Sequence, residues 1–190
     1  MSITSIMIVG VGGQGTLLAS KLLGKLLMEQ GYDVKVSEVH GMSQRGGSVT
    51  TYVRFGEKVW SPIIEKGGAD IILSFELLEA LRALPYLKPD GQLMTNTQQI
   101  DPMPVITGAA EYPQGIEEAL AKHAKLTTVD ALALAKEAGS IKAVNIVLIG
   151  LLARNTSIPR ERWEETIRTT VPPKFLEINL RAFALGYEHQ

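Results

Sequence analysis

The sequence contains no cysteine, and this absence removes several kinds of chemistry at once. It excludes a disulfide framework, a thiolate-held iron–sulfur cluster and a cysteine nucleophile within this chain. Only three histidines occur, His40, His123 and His189, and their positions lack the spacing of metal ligands. We therefore predict no metal site. Any electron carrier that works with this protein must lie in another chain.

A large excess of charge and a long apolar run are also missing. The 19 basic and 20 acidic residues give a net charge of -1, which provides no electrostatic attraction to nucleic acid or to an anionic membrane. No apolar run approaches the length of about 20 residues that a membrane helix needs. The first residues, MSITSIMIVGV, lack the basic segment of a signal peptide. We expect a cytoplasmic protein whose partners include neither nucleic acid nor a membrane.

The sequence does contain a regular alternation of apolar strands and amphipathic helices. Residues 5–11 form a short apolar run that stops at glycine, and residues 16–30 repeat leucine at helical spacing. Residues 33–39 are predicted as the next strand, which completes a β-α-β unit. This alternation predicts the α/β class, as a three-layer α/β/α architecture with a mostly parallel, Rossmann-like sheet. One domain over residues 1–190 accounts for the length.

Later segments continue the same pattern. Residues 141–153 are apolar on nearly every face except at Asn145, so this helix is predicted to be a central core helix or part of a subunit interface. Asn145 is expected to cap or bridge buried backbone, and Arg54 is expected on the surface. Further strands are predicted over residues 49–55, 70–75, 91–96, 104–107 and 125–129, and further helices over 76–84, 115–123, 130–138, 159–170 and 173–185.

The segment GVGGQGTLLASK, residues 10–21, has the Gly-x-Gly-x-x-Gly spacing that often holds a pyrophosphate. It follows a predicted strand and opens a predicted helix, where unpaired N–H groups and a partial positive charge attract anions. Lys21, in the second turn, has the reach for a phosphate, although a solvated lysine explains it equally well. The glycines also suit a tight turn packed against a helix with no ligand at all.

One interpretation is that this loop binds NAD. A dinucleotide site places an acidic residue about 20 positions beyond the glycines, and Glu38 stands close to that distance from Gly15. However, no substrate domain with an acid or a base is evident in the chain. A free-standing NAD-binding protein is therefore the alternative, and an assembly subunit with no ligand role is a second.

Two longer stretches carry a resemblance to a known family. GVGGQGTLLASKLL, followed by GYDVKVSEVHGMSQRGGSVTTYVRFG, resembles the gamma-type domain of the 2-oxoacid:ferredoxin oxidoreductases. The chain is most similar to the small, cysteine-free beta subunits of those that act on indolepyruvate. The resemblance spans residues 6–56 and continues weakly through residues 143–152 and 177–188. The SEVHGMSQRGGSV stretch is specific, whereas the glycine spacing alone is not.

The resemblance implies a reaction for the complex and a role for this chain. A 2-oxoacid, indolepyruvate or another aryl pyruvate, is oxidatively decarboxylated to acyl-CoA, and ferredoxin receives the electrons. Thiamine diphosphate and the iron–sulfur clusters are expected in a larger partner subunit, since this chain has neither cysteine nor a thiamine motif, and it is expected to be inactive alone. Ferredoxin would contact the assembly through that larger subunit.

The resemblance also implies which residues meet the co-substrate coenzyme A. We assign no catalytic residue, and we give His40 only a structural role at the loop edge. Arginine and glycine in the second loop suit a phosphate because a guanidinium pairs with it and glycine admits the backbone amides closely. The expected coenzyme A residues are Gly12, Gly13, Gln14, Gly15 and Lys21 in the first loop and helix, and Ser43, Gln44, Arg45, Gly46 and Gly47 in the second loop.

Overall fold

The computed structural model describes residues 3–41 and 46–189. Within them, six strands and eight α-helices follow one another along the chain, with short 3₁₀ turns over residues 84–86, 141–143 and 173–175. The strands are β1 (Thr4–Val11), β2 (Asp33–His40), β3 (Ser48–Gly56), β4 (Ala69–Ser74), β5 (Leu87–Asn96) and β6 (Lys125–Val129). The helices are α1 (Thr16–Glu29), α2 (Leu77–Ala83), α3 (Met103–Ile106), α4 (Ile116–Ala121), α5 (Ala131–Ala138), α6 (Val144–Arg154), α7 (Arg160–Thr170) and α8 (Leu176–Glu188).

All six strands form one sheet in the order β2-β3-β1-β4-β5-β6. The strands β1, β4, β5 and β6 are parallel neighbours, whereas β3 runs antiparallel to both β1 and β2. The predicted α/β class and the mostly parallel sheet are therefore confirmed. The predicted β-α-β unit is modified, because β3 lies between its two strands. Residues 41–47 are too few for a crossover helix of a dozen or more residues, so β3 must return antiparallel beside β2.

Alternate residues of the central strands support two separate helix layers. Ile6 and Ile8 belong to the larger core, which is covered by α1 and α5–α8. Met7 and Val9 face the smaller core beneath α2 and α4. Successive side chains of these strands therefore point to opposite faces of the sheet, and helices cover both faces. This gives the three-layer arrangement.

Helix α6 is the central core helix. Of the two roles that its apolar sequence allows, core helix and subunit interface, the structure shows the first. Every residue from Asn145 to Ala153 is buried, and α8 packs along it. The two helices approach so closely that a Cβ at Gly150 would overlap the backbone of Phe183, and one at Gly186 would overlap the carbonyl group of Val147. Glycine at these two positions is what lets the two backbones touch.

One local prediction is wrong. Residues 104–107 were expected as a strand, but Met103–Ile106 form a helical turn, because Pro104 near its start suits the first turn of a helix. Arg54 is partly exposed, in keeping with its expected place on the surface, and its Nη1 donates to the carbonyl oxygens of Ser61 (2.8 Å) and Ile63 (3.0 Å). It fixes the long connection between β3 and β4. In the described part of the chain, no helix is long and apolar enough to cross a membrane.

Candidate functional site

The glycine loop joins β1 to α1 at the carboxyl edge of the parallel strands, as the sequence predicts. Gly13 and Gly15 have φ values of 106° and 87°, in the left-handed region that favours glycine. Gly15 caps α1 without any side chain. As a result, the N–H groups of Thr16 and Leu17, the first of α1, find no acceptor among the described residues. Together with the N–H groups of Gly13 and Gly15, which also find no acceptor there, they are the free donors of this loop.

The two predicted loops are hydrogen-bonded to each other. The N–H of Gly12 donates to the carbonyl oxygen of Gly47 (2.8 Å), and the N–H of Gly46 donates to that of Gly12 (3.2 Å). Gly46 has a φ of 76°. The structure therefore brings Gly12, Gly13, Gly15, Gly46 and Gly47 together, although the backbone groups of Gly12 are used within the protein. Ser43, Gln44 and Arg45, the other predicted residues of the second loop, lie outside the described residues.

Gln14 turns into the protein and binds backbone on two strands. Its Oε1 accepts a hydrogen bond from the N–H of Val11 (2.8 Å), while its Nε2 donates to the carbonyl oxygen of Phe75 (2.8 Å) and to Oε1 of Gln98 (3.2 Å). Asn96 joins the same network, because its Nδ2 also donates to the carbonyl oxygen of Phe75. The side chain of Gln14 thus connects the ends of β1, β4 and β5.

A cavity of about 420 Å³ opens beside the glycine loop. It is lined by Gly12, Gly13, Gly15, Thr16, Leu17, Glu38, His40 and Val49. Glu38 is exposed in it and accepts a long hydrogen bond from Thr51 Oγ1 (3.3 Å). Lys21 is exposed on α1 and is not part of this lining. The cavity therefore offers the free amides of a helix N-terminus, but a carboxylate is the charged side chain that the structure places beside them.

A second cavity, of about 340 Å³, opens beside the end of the second loop. Gly46, Gly47 and Ser48 form one wall, and the beginning of α2 with residues 100–106 forms the rest. Two acidic residues of this wall, Glu76 and Glu79, are almost completely buried, with 1% and 4% exposure. Neither was singled out from the sequence. Glu76 caps α2, but glutamate is not among the preferred N-cap residues, so the sequence carried no clear signal for this pair.

Glu76 organises the second cavity through three hydrogen bonds. Its Oε2 accepts from the N–H of Glu79 (2.8 Å) and caps α2, and its Oε1 accepts from the N–H of Ile100 (3.1 Å) and the hydroxyl of Tyr112 (2.5 Å). Burial, and then the hydrogen bond to Glu76, raise the pKa of Tyr112 well above its ordinary value. Glu76 and Tyr112 thereby hold the connection between β5 and α4 against α2.

Glu79 links the second loop to α2. Its Oε2 accepts from Ser48 Oγ (2.5 Å) and its Oε1 accepts from Nη1 of Arg82 (2.5 Å). A buried carboxylate of this kind must have partners, because leaving it unpaired in the interior is very costly. The position of Ser48, and with it the end of the second loop, therefore depends on α2.

The remaining polar residues singled out from the sequence lie around this edge. His40 ends β2 and lines the glycine-loop cavity, and its Nδ1 lies 3.0 Å from the carbonyl oxygen of Gly41. Asn145 packs beneath Gly15, and its Oδ1 is buried without a donor from any described residue; no bridge to backbone is seen at that atom. Among the described residues, no group of three or more histidine or acidic side chains is arranged to hold a metal ion.

Comparison with known proteins gives consistent matches over the whole fold. The profile of the family described as pyruvate ferredoxin/flavodoxin oxidoreductase matches residues 5–189. Subunit IorB of indolepyruvate oxidoreductase from Thermococcus kodakarensis is 48% identical over 96% of this chain and 93% of its own.

Two solved structures share the fold. The gamma subunit of a keto/oxoacid ferredoxin oxidoreductase from Geobacter sulfurreducens has a TM-score of 0.73 at 23% identity, with 97% of this chain and 96% of its own covered. A 2-oxoglutarate:ferredoxin oxidoreductase from Magnetococcus marinus, solved with coenzyme A bound, has a TM-score of 0.75 at 18% identity, and the match covers 98% of this chain and 31% of that one. From the family profile and the identity to IorB, the chain belongs to the pyruvate ferredoxin/flavodoxin oxidoreductase family.

Proposed function

We propose that this chain is the gamma-type, non-cluster subunit of an oxidoreductase that converts indolepyruvate or another aryl pyruvate to acyl-CoA with ferredoxin as acceptor. The observation that carries the proposal is the 48% identity to an IorB subunit over nearly the full length of both chains. Residues 1–190 would act as one gamma-type domain beside a larger subunit. Because this chain has no cysteine, the iron–sulfur clusters belong in that larger subunit, as does thiamine diphosphate.

Thiamine diphosphate, when bound by the larger subunit, supplies the stabilised carbanion that decarboxylation of a 2-oxoacid requires. The donor set of this chain fits a different task, the binding of an anionic co-substrate. The glycine loop presents the amides of Thr16 and Leu17 at the N-terminus of a 14-residue helix, which is a favourable environment for a phosphate group. Coenzyme A carries a pyrophosphate and a further phosphate, so its phosphate end is the group that we place in this cavity.

The residues of the two loops divide into binding and supporting roles in this proposal. Gly13 and Gly15 would contact coenzyme A directly, Ser43, Gln44 and Arg45, which lie outside the described residues, would reach it from the second loop, and Lys21 would neutralise charge from the side of α1. Gly46 and Gly47 line the second cavity and would support the site through their hydrogen bonds to Gly12. Gly12 and Gln14 would act through the loop shape, because their hydrogen-bonding groups are already paired within the protein. The larger subunit would close the open side of the cavity and exclude water.

Glu38 supports a second candidate function, a free-standing NAD-binding protein. Its carboxylate lines the glycine-loop cavity, where an acidic side chain can hydrogen-bond the hydroxyls of a ribose. The same carboxylate repels a phosphate. In the third possibility, an assembly subunit without a ligand, the loops only pack against each other, which their mutual hydrogen bonds allow.

The variant Glu38→Gln separates these three functions. If coenzyme A places a phosphate in the cavity, the loss of one negative charge should lower the KM for coenzyme A about two- to fivefold in the complex with the larger subunit, which corresponds to roughly 0.5–1 kcal/mol of relieved repulsion. If the site binds NAD, the isolated wild-type chain binds NAD in titration calorimetry, and Glu38→Gln weakens that binding. The control is Asp90→Asn, at the opposite edge of the sheet near the start of β5. Unchanged coenzyme A kinetics and no NAD binding would favour the assembly role.

A further inference from the structure

Four large apolar side chains stand exposed around one end of α1. Leu17 and Leu18 form the first turn of that helix, Ile141 belongs to the 3₁₀ turn before α6, and Phe175 precedes α8. Each of them is between 38% and 59% exposed. Leaving such side chains in water forfeits the free energy that their burial would provide, so a concentration of them on one face points to a binding surface.

The surface contains a pocket that an inserted side chain would fill. The pocket has a volume of about 180 Å³, and its walls come from Leu18, Val171, Phe175 and Ile178, among others. This volume is below the range of roughly 300–1,000 Å³ that is usual for small-molecule sites. Its size and its apolar walls therefore favour one anchoring side chain of a protein partner.

The charged side chain in the pocket lining is basic, and Glu177 in the first turn of α8 is not part of that lining. Lys142 lines it, and no acidic side chain does so. The Nζ atom of Lys174 lies 4.8 Å above the ring of Phe175. The N-terminus of α1 adds a partial positive charge, and the first turn of that helix has no acidic residue to offset it. This combination attracts a partner surface that is apolar with flanking carboxylates.

We propose that this surface, formed by Leu17, Leu18, Ile141 and Phe175 with the pocket between them, docks an acidic, apolar segment of the larger subunit. The inference rests on the proposed function, which requires such a subunit. An apolar side chain of the segment enters the pocket, and its carboxylates face Lys142 and Lys174.

Position and charge favour the larger subunit over a second copy of this chain. In a symmetric dimer the same patch faces itself, so two copies would bring Lys142 and Lys174 against their equivalents. Leu17 lines the glycine-loop cavity while Leu18 lines the pocket. A partner seated here therefore also reaches the open side of that cavity.

The test measures association of purified variants with the larger subunit of the same oxidoreductase. Leu18→Asp should raise the Kd at least tenfold, since a carboxylate then occupies the apolar rim. Lys142→Glu should raise the Kd about tenfold at low salt, and this difference should shrink at 0.5 M NaCl because exposed charge pairs are screened. Met28→Asp is the matched control: Met28 lies at the other end of α1 and is 60% exposed, and its substitution should leave the Kd unchanged.

The outcomes distinguish the surface from the function. Melting curves identify a variant that fails to fold, and Lys142→Glu changes an exposed side chain, so it keeps the test informative if Leu18→Asp does not fold. If the wild-type chain binds the larger subunit and both variants bind it with a Kd within twofold of the wild-type value, the assigned surface is wrong and the proposed function stays intact. A wild-type chain that forms no complex with the larger subunit would reject the proposed function. If Leu18→Asp disrupts self-association of the isolated chain and leaves the heteromeric complex unchanged, the occupant is a second copy and the proposal is wrong.

Discussion

Gln14 provides a direct test of how the glycine loop is held, because its amide group is the hydrogen-bonding centre of that loop. Gln14→Met keeps a side chain of similar length and shape but removes both the acceptor for the N–H of Val11 and the donor to the carbonyl oxygen of Phe75. Val11 is 7% exposed, so its N–H would be left without an acceptor and with little access to water. A buried, unsatisfied donor costs about 1–3 kcal/mol.

The second lost bond costs less than the first. The carbonyl oxygen of Phe75 still accepts from Nδ2 of Asn96, so only about 1 kcal/mol of net hydrogen-bond energy is lost there. Together the two losses amount to about 2–4 kcal/mol of unfolding free energy. For a chain of this size that lowers the melting temperature by roughly 5–15 °C.

Thermal unfolding followed by circular dichroism measures the shift, and Gln99→Met is the matched control. Gln99 is an exposed glutamine in the adjacent segment, and the same substitution there should change the melting temperature by less than 2 °C. If Gln14→Met melts like the wild type but raises the KM for coenzyme A tenfold in the complex, the Gln14 side chain faces a ligand and does not hold the glycine loop.

Three further predictions concern the second cavity and the second loop. Tyr112→Phe should lower the unfolding free energy by about 1–3 kcal/mol at neutral pH, because Glu76 and the N–H of Leu78 each lose a partner. The pKa of Tyr112 is raised in the folded state, so the wild type should also lose stability as the pH rises above about 10, where the tyrosine of the unfolded chain ionises. Chemical denaturation at pH 8 to 11 should therefore show a smaller loss of stability in the variant than in the wild type. Arg45→Ala should weaken coenzyme A binding about ten- to a hundredfold, or roughly 1.5–3 kcal/mol for one charge-assisted hydrogen bond. The melting temperature should stay unchanged. Unchanged coenzyme A and 2-oxoacid kinetics would show that Arg45 is not at the site. Gly46→Val should lower both the melting temperature and the coenzyme A affinity, because a φ of 76° is poorly tolerated by a β-branched residue; a fully stable variant would contradict the described turn.

The helices and buried strands are the part of this fold that sequence patterns specify well, because leucine repeats and apolar runs are local signals. The order of the strands in the sheet, by contrast, is not specified by local sequence patterns. Nothing within residues 33–39 indicates that β3 separates β2 from β1, since that depends on which edges pair after the chain has turned back. The brevity of residues 41–47 was the available clue.

The candidate site shows the same division between local and long-range information. The glycines of both loops follow from spacing and from the need for positive φ at Gly13, Gly15 and Gly46. The direction of the Gln14 side chain could not be predicted in this way, since two of its three partners, Phe75 and Gln98, lie 61 and 84 residues away along the chain. Glu76 was missed because a single glutamate after an apolar strand gives no clear signal, and its burial depends on Tyr112 and Ile100.

Gly15 and Asn145 form a pair in which conformational and steric effects can be measured separately. Gly15 has a φ of 87°, and a Cβ added there would lie 3.0 Å from Nδ2 of Asn145. Gly15→Ala therefore pays about 1–2 kcal/mol for the left-handed conformation and a further amount for the crowded contact. In the Asn145→Ala background the amide is gone, so only the conformational part should remain.

A double-mutant cycle on the free energy of unfolding should thus give a coupling of about 0.5–1 kcal/mol, in the direction that makes Gly15→Ala less harmful when Asn145 is absent. The coenzyme A dependence of the complex adds an independent readout. If the amides of this loop bind a phosphate, Gly15→Ala should raise the KM for coenzyme A in both backgrounds, because the helix N-terminus is displaced whether or not the crowding is relieved. A stability cost that is the same in both backgrounds would contradict the contact between Gly15 and Asn145. A KM that recovers fully in the double variant would show that Gly15 matters only because it leaves room for Asn145.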